Sequence, residues 1–508
     1  MSKTKREKNN RNFFKINFKR LKKRVQGITL IALVVTVIVL LILAGVALNL
    51  TVGDNGLFKR AQNAADTYDE ASQKEKIELA AASTYLDDTK DFGITTPKLE
   101  SALKEQFDDG TEIMVEDNGN GSFYIVIDKN IYYLNQSGKV NKSEDIATDG
   151  SWSEEKGVNT PVIKSDLPNN MTMELVKWDE ESKSFVNDST KLSYNYVAGS
   201  GTEDNNESKW ANARVKIDGI ESYFVWIPRY EYKIDNTTKT IDIKFIPKSQ
   251  TKADDGYIIH PAFINDSTNN YDNGGWREEL SGIWVGKYES SRIDAGIDVN
   301  NPGTSTKMKV QEGVTSWINT SIGETYDYAK EYCPDLNSHM LKNSEWGAVA
   351  YLTHSKYGRN GNEIDMNNNS NFITADQGIE INSKQSTTGN VYGIFDLSGC
   401  ADEYVSAYYG GSTDANLSTN GSQLINETNR EYVTEYDGET TELNYKLGDA
   451  TYETENWNLD SHGFINSKNP FFKRGSTYNA TKAAAGIFKF SSGSGTAGGG
   501  GFHLCLAI

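Results

Sequence analysis

The feature that most constrains this chain is a run of 21 residues without a charge, from Ile28 to Leu48. A helix of this length extends about 31 Å, the thickness of the hydrocarbon core of a bilayer. The run is rich in β-branched residues, which are weak helix formers in water. In lipid the backbone must satisfy its own hydrogen bonds, and a helix does this. We therefore expect a transmembrane helix over residues 28–50 that contacts membrane lipid through residues 28–48.

The charges flanking this run predict its orientation. Residues 1–26 contain 11 Lys or Arg and one acid, Glu7, for a net charge of +10. The whole chain carries −18, so the rest carries −28. Basic residues favour the cytoplasmic side. We expect a cytoplasmic N-terminus, and residues after about 50 outside, on a bacterial cell surface. An acidic chain also argues against nucleic acid as a partner.

Cysteine and histidine spacing excludes the common metal motifs. The three cysteines are too few for a disulfide scaffold, and no CxxC occurs, which argues against a thiolate zinc ribbon. The five histidines lie far apart in the sequence and form no HExxH.

Two interpretations of the N-terminus stay open. One is a signal anchor or a signal peptide cleaved near Gly45-Val46-Ala47. The other rests on the run KRVQGITLI at 23–31, which resembles the prepilin leader of type IV pilins and pseudopilins. That resemblance implies a leader over 1–27, cleavage after Gly27 by a prepilin peptidase, and methylation of Ile28.

One position departs from the pilin pattern. The family usually has Glu at the fifth mature position, where this chain has Ala32. That Glu helps to register a subunit in a filament, so its absence puts ordinary polymerisation with other pilins in doubt. The departure fits a minor or tip subunit, or a simple membrane anchor.

Residues 51–135 have the pattern of a long helix followed by a small antiparallel sheet. Apolar residues recur at helical spacing in 55–86, and a second helix is expected over Pro97–Phe107. Three β-rich runs follow, at Thr111–Glu116, Phe123–Asp128 and Ile131–Leu134. This is the pilin arrangement. Residues 136–158 are polar and aperiodic, which predicts a linker.

Residues 159–508 begin with alternating strand and turn signals and continue with two helices. Strands are expected at Met173–Trp178, Ala213–Ile217, Ser222–Pro228 and Ile241–Ile246. Helices are expected at Glu324–Cys333 and at Ser344–Leu352, the second with Asn343 as its N-cap.

Six short motifs, in this order, resemble the formylglycine-generating enzyme (sulfatase-modifying factor) superfamily. They are the IGKYE-like strand at 283–289, the Tyr332-Cys333 helix end, the LxxxEW helix start at 341–346, GIFDLSG at 393–399, the Arg-Gly-Ser turn at 474–476 and the closing Gly-Phe-x-Leu at 501–504. The resemblance implies a C-type-lectin-like domain with two or three short helices around a twisted mixed sheet. The predicted fold class is therefore α+β: a transmembrane, pilin-like helix with a small antiparallel sheet, then a C-type-lectin-like domain rich in irregular loops.

The same resemblance bears on activity. Oxidases of the family use a cysteine pair with copper, between the Arg-Gly-Ser turn and the final Gly-Phe strand. The corresponding interval here, Thr477 to Gly500, contains no cysteine. Without a thiolate there is no such nucleophile or copper ligand, so we expect no copper and no enzyme activity. The resemblance also implies a disulfide between Cys333 and Cys505.

Calcium is the ligand of the family whose binding positions can be matched in this chain. The resemblance implies that Ca²⁺ is held by the side chains of Asp396 and Glu403 and by the carbonyls of Gly399 and Ala401. These are hard oxygen ligands suited to Ca²⁺. The alternative is that Asp396 and Glu403 only cap turns of the fold.

The C-terminal tail is built almost wholly from small polar residues. One interpretation is a flexible loop. The other is a hypervariable face, because related domains are targets of diversity-generating retroelements, which randomise adenines near the 3′ end of a gene. Codons so changed yield the residue types found at 476–481 and 491–500. The predicted ligand-binding residues are Ser476, Thr477, Tyr478, Asn479, Thr481, Ser491, Ser492, Ser494 and Thr496.

Three function classes follow from these observations. The first is a membrane-anchored, surface-displayed binding protein, an adhesin or receptor for a protein or a glycan, resembling a pilus-tip subunit. The second is a minor pilin or pseudopilin with a structural role in a filament or secretion machine. The third, an oxidase or hydrolase on the same fold, requires a reactive cysteine or metal cluster that the sequence motifs do not supply.

Overall fold

A computed structural model gives the fold. It describes residues 57–86, 94–118, 121–199, 207–298, 300, 302–368, 372–426, 430–438, 445–481, 485–498 and 500–508. The predicted leader, its cleavage site at Gly27 and Ile28, and the predicted transmembrane helix over 28–50 lie outside the described residues. The chain divides into two compact units, Met1–Lys76 and Ile77–Ile508.

The predicted fold class is wrong. Among the described residues, every helix is too short or too polar to cross a membrane. The longest one, α1 (Leu57–Leu86), has 30 residues, but charged side chains recur along its length. The main sheet of the C-terminal part is antiparallel throughout rather than mixed. The described chain is a mixed fold in which antiparallel sheets dominate.

Helix α1 begins close to the predicted start, and the buried residues that the structure describes in it lie in its second half. Tyr68, one of the apolar residues at helical spacing in 55–86, is 75% exposed. The buried positions lie further along the helix, at Ile77, Ala80 and Ala81. The spacing of apolar residues therefore predicted the helix correctly.

The helix and three strands predicted for residues 97–134 are confirmed. They are α2 (Thr96–Gln106), β1 (Ile113–Asp117), β2 (Phe123–Ile127) and β3 (Asn130–Leu134). A fourth strand, β4 (Val140–Lys142), extends the sheet in the order β1-β2-β3-β4. The core of this part joins Ile77 and Leu99 to Phe123 and Ile125.

The stretch 136–158, predicted to be a linker, contains β4 and one strand of a small hairpin. The hairpin pairs β5 (Trp152–Ser153) with β6 (Val158–Asn159). Residues 77–508 form a single compact unit that includes this stretch.

A seven-stranded antiparallel sheet organises the C-terminal part. Its strands are β7 (Met171–Asp179), β8 (Ser184–Asn187), β9 (Asn212–Ile217), β10 (Ile220–Pro228), β14 (Gly282–Gly286), β17 (Ser338–Met340) and β23 (Leu504–Leu506). Their order is β17-β23-β14-β10-β9-β7-β8. The C-terminal strand β23 thus lies between two strands that precede it by more than 150 residues. The four strands predicted for β7, β9, β10 and β14 are confirmed.

Two smaller sheets are formed by strands that lie between β10 and β17 in the chain. One is β11 (Tyr230–Asp235), β12 (Thr240–Phe245) and β13 (Ile258–Ile259), in the order β12-β11-β13. The other pairs β15 (Ser291–Arg292) with β16 (Met308–Lys309). Strand β12 confirms the prediction at Ile241–Ile246.

Two helices lie near their predicted positions. Helix α3 (Ile322–Glu331) starts at Ser321, whose side chain forms a reciprocal capping box with Glu324. Helix α4 (Asn343–His354) is buried at all 12 of its residues. Its N-cap is Lys342, so the prediction of Asn343 in that role is wrong by one residue.

A five-stranded sheet carries the tail of the chain. Its strands are β18 (Asp402–Tyr409), β19 (Thr434–Tyr436), β20 (Phe471–Arg474), β21 (Phe490–Gly493) and β22 (Gly500–Gly501). They run β19-β18-β20-β21, and β22 pairs in parallel with the start of β18. Two short helices, α5 (Ala415–Asn420) and α6 (Ser422–Ile425), follow β18.

Candidate functional site

The loop predicted to bind calcium is a tight turn clamped by one asparagine. Asp396, Gly399 and Cys400 all have positive φ, of 67°, 89° and 58°. The backbone N–H of Asn367 donates to Ser398 O (2.7 Å), and its carbonyl accepts from the N–H of Cys400 (2.9 Å). A Cβ on Gly399 would lie 2.2 Å from the Asn367 carbonyl oxygen, so this close approach requires glycine.

Three carboxyl groups converge behind this turn. Asp396 and Glu403 come from the predicted site, and Glu289, which follows β14, joins them; all three are buried. Asp396 Oδ1 accepts from Asn367 Nδ2 (2.8 Å) and from the N–H of Ala375 (2.8 Å). Glu289 accepts from the N–H of Ala401 (2.9 Å) and from the hydroxyl of Ser316.

A buried histidine completes the cluster. His503 Nδ1 lies 2.6 Å from Glu403 Oε2, and its Nε2 lies 3.1 Å from Phe395 O. A carbonyl can only accept, so Nε2 carries a hydrogen. The contact at Nδ1 therefore holds one proton between the imidazole and Glu403.

Burial shifts the pKa of every group in this cluster. Desolvation first, and mutual repulsion second, raise the pKa of Glu289 and Glu403 well above the usual range. Desolvation also raises the pKa of Asp396 and lowers that of His503 to about 4. Without a cation, these groups are most stable in their neutral forms.

The residues fit a hard cation at two atoms. Asp396 Oδ2 and Glu403 Oε1 are buried and have no hydrogen-bond partner within the described part of the chain. Unpartnered buried carboxylate oxygens are unfavourable unless something binds them. The two predicted backbone positions are fixed nearby, since the N–H of Gly399 donates to Ser476 Oγ (3.2 Å) and that of Ala401 to Glu289.

The sequence reasoning missed half of this cluster. Glu289 closes the predicted strand at 283–289, but nothing in that pattern indicates that it faces Glu403. His503 lies in the closing Gly-Phe-x-Leu motif, at its variable position. The only signal in the sequence is that Glu289 and His503 each place a titratable side chain in an otherwise apolar run.

The first segment of the predicted ligand-binding face touches this turn. The N–H of Tyr478 donates to Cys400 O (2.9 Å), and the Tyr478 ring packs edge-on against Phe372, with centroids 5.1 Å apart. Asn479 and Thr481 are exposed, and Thr477 is half-buried. Ser476 is only 1% exposed, so the structure does not place its side chain at a surface as predicted.

The second segment borders the same strand, β18. Ser491 on β21 lies opposite Lys473 on β20, and Lys473 lies opposite Tyr404 on β18. The N–H of Gly495 donates to the Tyr404 hydroxyl (3.1 Å). Ser491, Ser492 and Ser494 are half-buried and Thr496 is exposed. We call residues 477–481 and 491–498, with Asp402, Lys473 and Lys489, the C-terminal face.

An ion-paired cluster that the sequence did not indicate belongs to this face. Asp402 Oδ1 lies 2.8 Å from Lys489 Nζ, and Asp402 Oδ2 lies 3.5 Å from Lys473 Nζ. Burial lowers the pKa of Lys489, while Asp402 offsets part of that shift. The cluster adds charged groups to a face of small polar side chains.

The predicted disulfide is not formed. Cys333, Cys400 and Cys505 are all free and buried. Cys333 Sγ lies 3.8 Å from Met171 Sδ, whereas Cys505 lies on β23 opposite His339. The two thiols therefore face different neighbours.

Comparison with known proteins gives no relative from which to transfer a function: no protein-family model and no curated protein matches the chain.

Proposed function

We propose that this protein is a non-catalytic binding protein that recognises a protein or glycan ligand through the C-terminal face. The supporting observation is a contrast in burial. Asn479, Thr481 and Thr496 are exposed, whereas Arg474 and Phe502, which border these segments in sequence, are fully buried. Adaptable small polar side chains on a rigid base are typical of surfaces that bind macromolecules.

The proposal contains no catalytic step. The segment from Thr477 to Gly500 has no cysteine, and Cys333, Cys400 and Cys505 are buried. The carboxyl groups of Glu289 and Glu403 are buried as well, which keeps them from a ligand at the surface.

Calcium has a structural role in this proposal. Asp396 and Glu403 would hold the ion, with carbonyls of Gly399 and Ala401 as further ligands. Tyr478 and Ser476 are hydrogen-bonded to the same turn, so the ion would fix the base of the first segment. The calcium ion would then balance the negative charge of the two carboxylates, which are protonated when no cation is bound.

A further part of the proposal is that the face is diversified between individuals, as in targets of diversity-generating retroelements. The residue types at the exposed positions support it. The buried or sterically confined positions within the same segments restrict where such variation can occur.

Binding screens with paired variants test this function. The wild-type chain is screened against arrayed glycans and a panel of labelled surface proteins, together with Asn479→Ala/Thr481→Ala. The matched control is Thr237→Ala/Thr240→Ala, which truncates exposed residues at the β11–β12 turn. We expect at least one ligand whose binding falls more than tenfold in the first variant and is unchanged in the control. Equal loss in both variants, or no loss in either, contradicts the proposal.

A further inference from the structure

A second group of ligand-type side chains lies far in sequence from the calcium loop. Strands β17 and β23 pair so that His339 is directly opposite Cys505. Glu345, in the first turn of α4, lies against them. One donor atom from each of His339, Glu345 and Cys505 lies within 4.8 Å of the others, and all three residues are fully buried.

The hydrogen bonds of His339 require a positive charge between its Nε2 and Glu345. His339 Nδ1 lies 2.7 Å from Asn337 O, so this nitrogen carries a hydrogen. His339 Nε2 lies 3.1 and 3.0 Å from the two carboxylate oxygens of Glu345. In a neutral imidazole this nitrogen has a lone pair, and two acceptors at this distance repel each other. Something positive must lie between them, either a second proton or a metal ion.

We propose that a divalent metal ion of the zinc class binds here, to His339 Nε2, a carboxylate oxygen of Glu345 and Cys505 Sγ. Nitrogen, oxygen and sulfur donors of these types are those that Zn²⁺ takes in proteins. The N–H of a metal-bound histidine usually donates to a carbonyl or carboxylate, as Nδ1 does to Asn337. Tetrahedral zinc places such donors about 3.3–3.6 Å apart, so the three groups need to move by no more than about 1 Å.

The negative charges of the ligands would balance a divalent ion, whereas one buried cation lies beside them. Lys342 is the nearest fixed cation, with Nζ 3.9 Å from Glu345 Oε1. It is ion-paired with Glu345, and it also donates to Gly275 O (3.0 Å) and Glu431 O (2.8 Å) and lies over the Trp276 ring. Ionised Glu345 and a Cys505 thiolate add two negative charges.

The ion also accounts for a buried thiol beside a carboxylate. Burial, and then Glu345, raise the pKa of the Cys505 thiol well above its usual range, so the metal-free thiol stays protonated. A bound cation reverses this preference because it stabilises the thiolate directly. Metal binding therefore releases two protons, one from Cys505 and the one held between His339 Nε2 and Glu345 in the metal-free chain, and no electron is transferred.

The position suggests a structural role. The ion would connect β17, the start of α4 and the C-terminal strand β23, which lies between β17 and β14. Strand β23 follows β17 by more than 150 residues, so the contacts between these elements are all long-range in sequence. A metal ligand on each element would fasten the last strand into the large sheet. This role is independent of ligand binding at the C-terminal face.

Metal loading of three chains tests the site. The full chain, Cys505→Ser and the matched control Cys333→Ser are stripped of metal, and each is titrated with Co²⁺ and then Zn²⁺. We expect about one Co²⁺ per chain in the wild type and in Cys333→Ser, with thiolate-to-cobalt absorption in the near ultraviolet that Zn²⁺ abolishes. In Cys505→Ser we expect this absorption to disappear and zinc affinity to fall at least tenfold.

Two results would overturn the proposal. One is a wild-type chain that retains less than about a tenth of an equivalent of Zn²⁺ or Co²⁺, which would leave an imidazolium–carboxylate pair at His339 and Glu345. The other is unchanged cobalt absorption in Cys505→Ser. Should that variant fail to fold, His339→Gln provides the same comparison, and the cobalt spectrum of the wild type decides alone whether a thiolate ligates the ion.

Discussion

At the scale of single residues, Glu453 shows how burial couples a carboxyl group to stability. It accepts hydrogen bonds from the hydroxyls of Tyr232 (3.0 Å) and Tyr351 (3.0 Å) and from the N–H of Gly448. Desolvation nevertheless dominates and raises its pKa from 4.5 to about 7. The folded protein thus holds a proton there that the unfolded chain releases above about pH 4.5.

This pKa sets the sign of a pH dependence. Between about pH 4.5 and 7 the folded state binds one more proton than the unfolded state, so rising pH destabilises the fold. Glu453→Gln removes that titration. We expect the unfolding free energy of the variant, relative to the wild type, to increase by about 3 kcal/mol from pH 4.5 to pH 8. Denaturant unfolding at both pH values measures it, and a constant difference would contradict the assignment.

Calcium binding is the second prediction at this scale. Glu403→Gln removes one charge but keeps an oxygen near the same position. We expect millimolar Ca²⁺ to raise the melting temperature of the wild-type chain by several degrees and that of the variant hardly at all, because one anionic ligand is lost. Scanning calorimetry with Ca²⁺ and with Mg²⁺ provides the measurement. A wild type that does not respond to Ca²⁺ would leave Asp396 and Glu403 as turn caps.

The residues of the site were predictable only in part. Asp396, Glu403 and the tail segments could be named because they lie in motifs of local sequence. Glu289 and His503 could not, since their contact with Glu403 spans about 100 residues or more and depends on how three strands pair. Ser476 was assigned to the surface by its residue type, whereas its hydroxyl satisfies the buried N–H of Gly399.

At the scale of elements, the turn at 396–403 depends on Gly399. Gly399→Ala places a Cβ 2.2 Å from the Asn367 carbonyl at a φ of +89°. Gly361 has nearly the same φ, +87°, but open space around its Cα. We expect Gly361→Ala to cost about 1–2 kcal/mol, from the left-handed backbone alone. Gly399→Ala should cost at least about 2 kcal/mol more, because backbone must also move. Chemical denaturation measures the loss of unfolding free energy in both variants. Equal losses would show that the backbone of Asn367 moves without an energetic penalty.

Local pattern was a good guide to where elements occur. Apolar, β-rich runs and strand signals between turn residues predicted β2, β3, β7, β9 and β10 within about two residues. The sequence was a poorer guide to helix ends: the N-cap of α4 is Lys342, whose N–H donates to the Glu345 carboxylate (2.8 Å). Asn343 is a better N-cap by type, but its side-chain oxygen accepts from Arg474 (3.5 Å) and its Nδ2 donates to the Tyr436 hydroxyl (2.8 Å).

At the scale of the whole molecule, the order of strands in each sheet could not be predicted from the sequence. A period of two predicts a strand and its buried side, but it does not name the neighbouring strand. Strand β23 lies between β14 and β17, and β22 pairs in parallel with β18. Such long-range pairings make the five-stranded sheet mixed and the large sheet antiparallel throughout, and the sequence did not predict which would be which.

The processing of the N-terminus is a prediction that the described residues leave untouched. The pilin-like leader predicts that the mature chain begins at a methylated Ile28. Intact-mass and N-terminal peptide mass spectrometry of chain isolated from its native host measure this directly. A chain that retains Met1, or one that begins at Leu48, would exclude prepilin-type processing.

The central claim, a binding face that varies on a fixed base, is tested most directly by deep sequencing of codons 470–508 in a growing population. The structure narrows the expected result. Asn479, Thr481, Thr496 and Gly498 have exposed side chains or open space, and we expect substitutions there, at adenines. Ser476 and Gly495 should stay fixed, because one is buried and a Cβ on the other would lie 2.6 Å from Phe471. An invariant segment, or variation spread equally over buried and exposed codons, would contradict the claim.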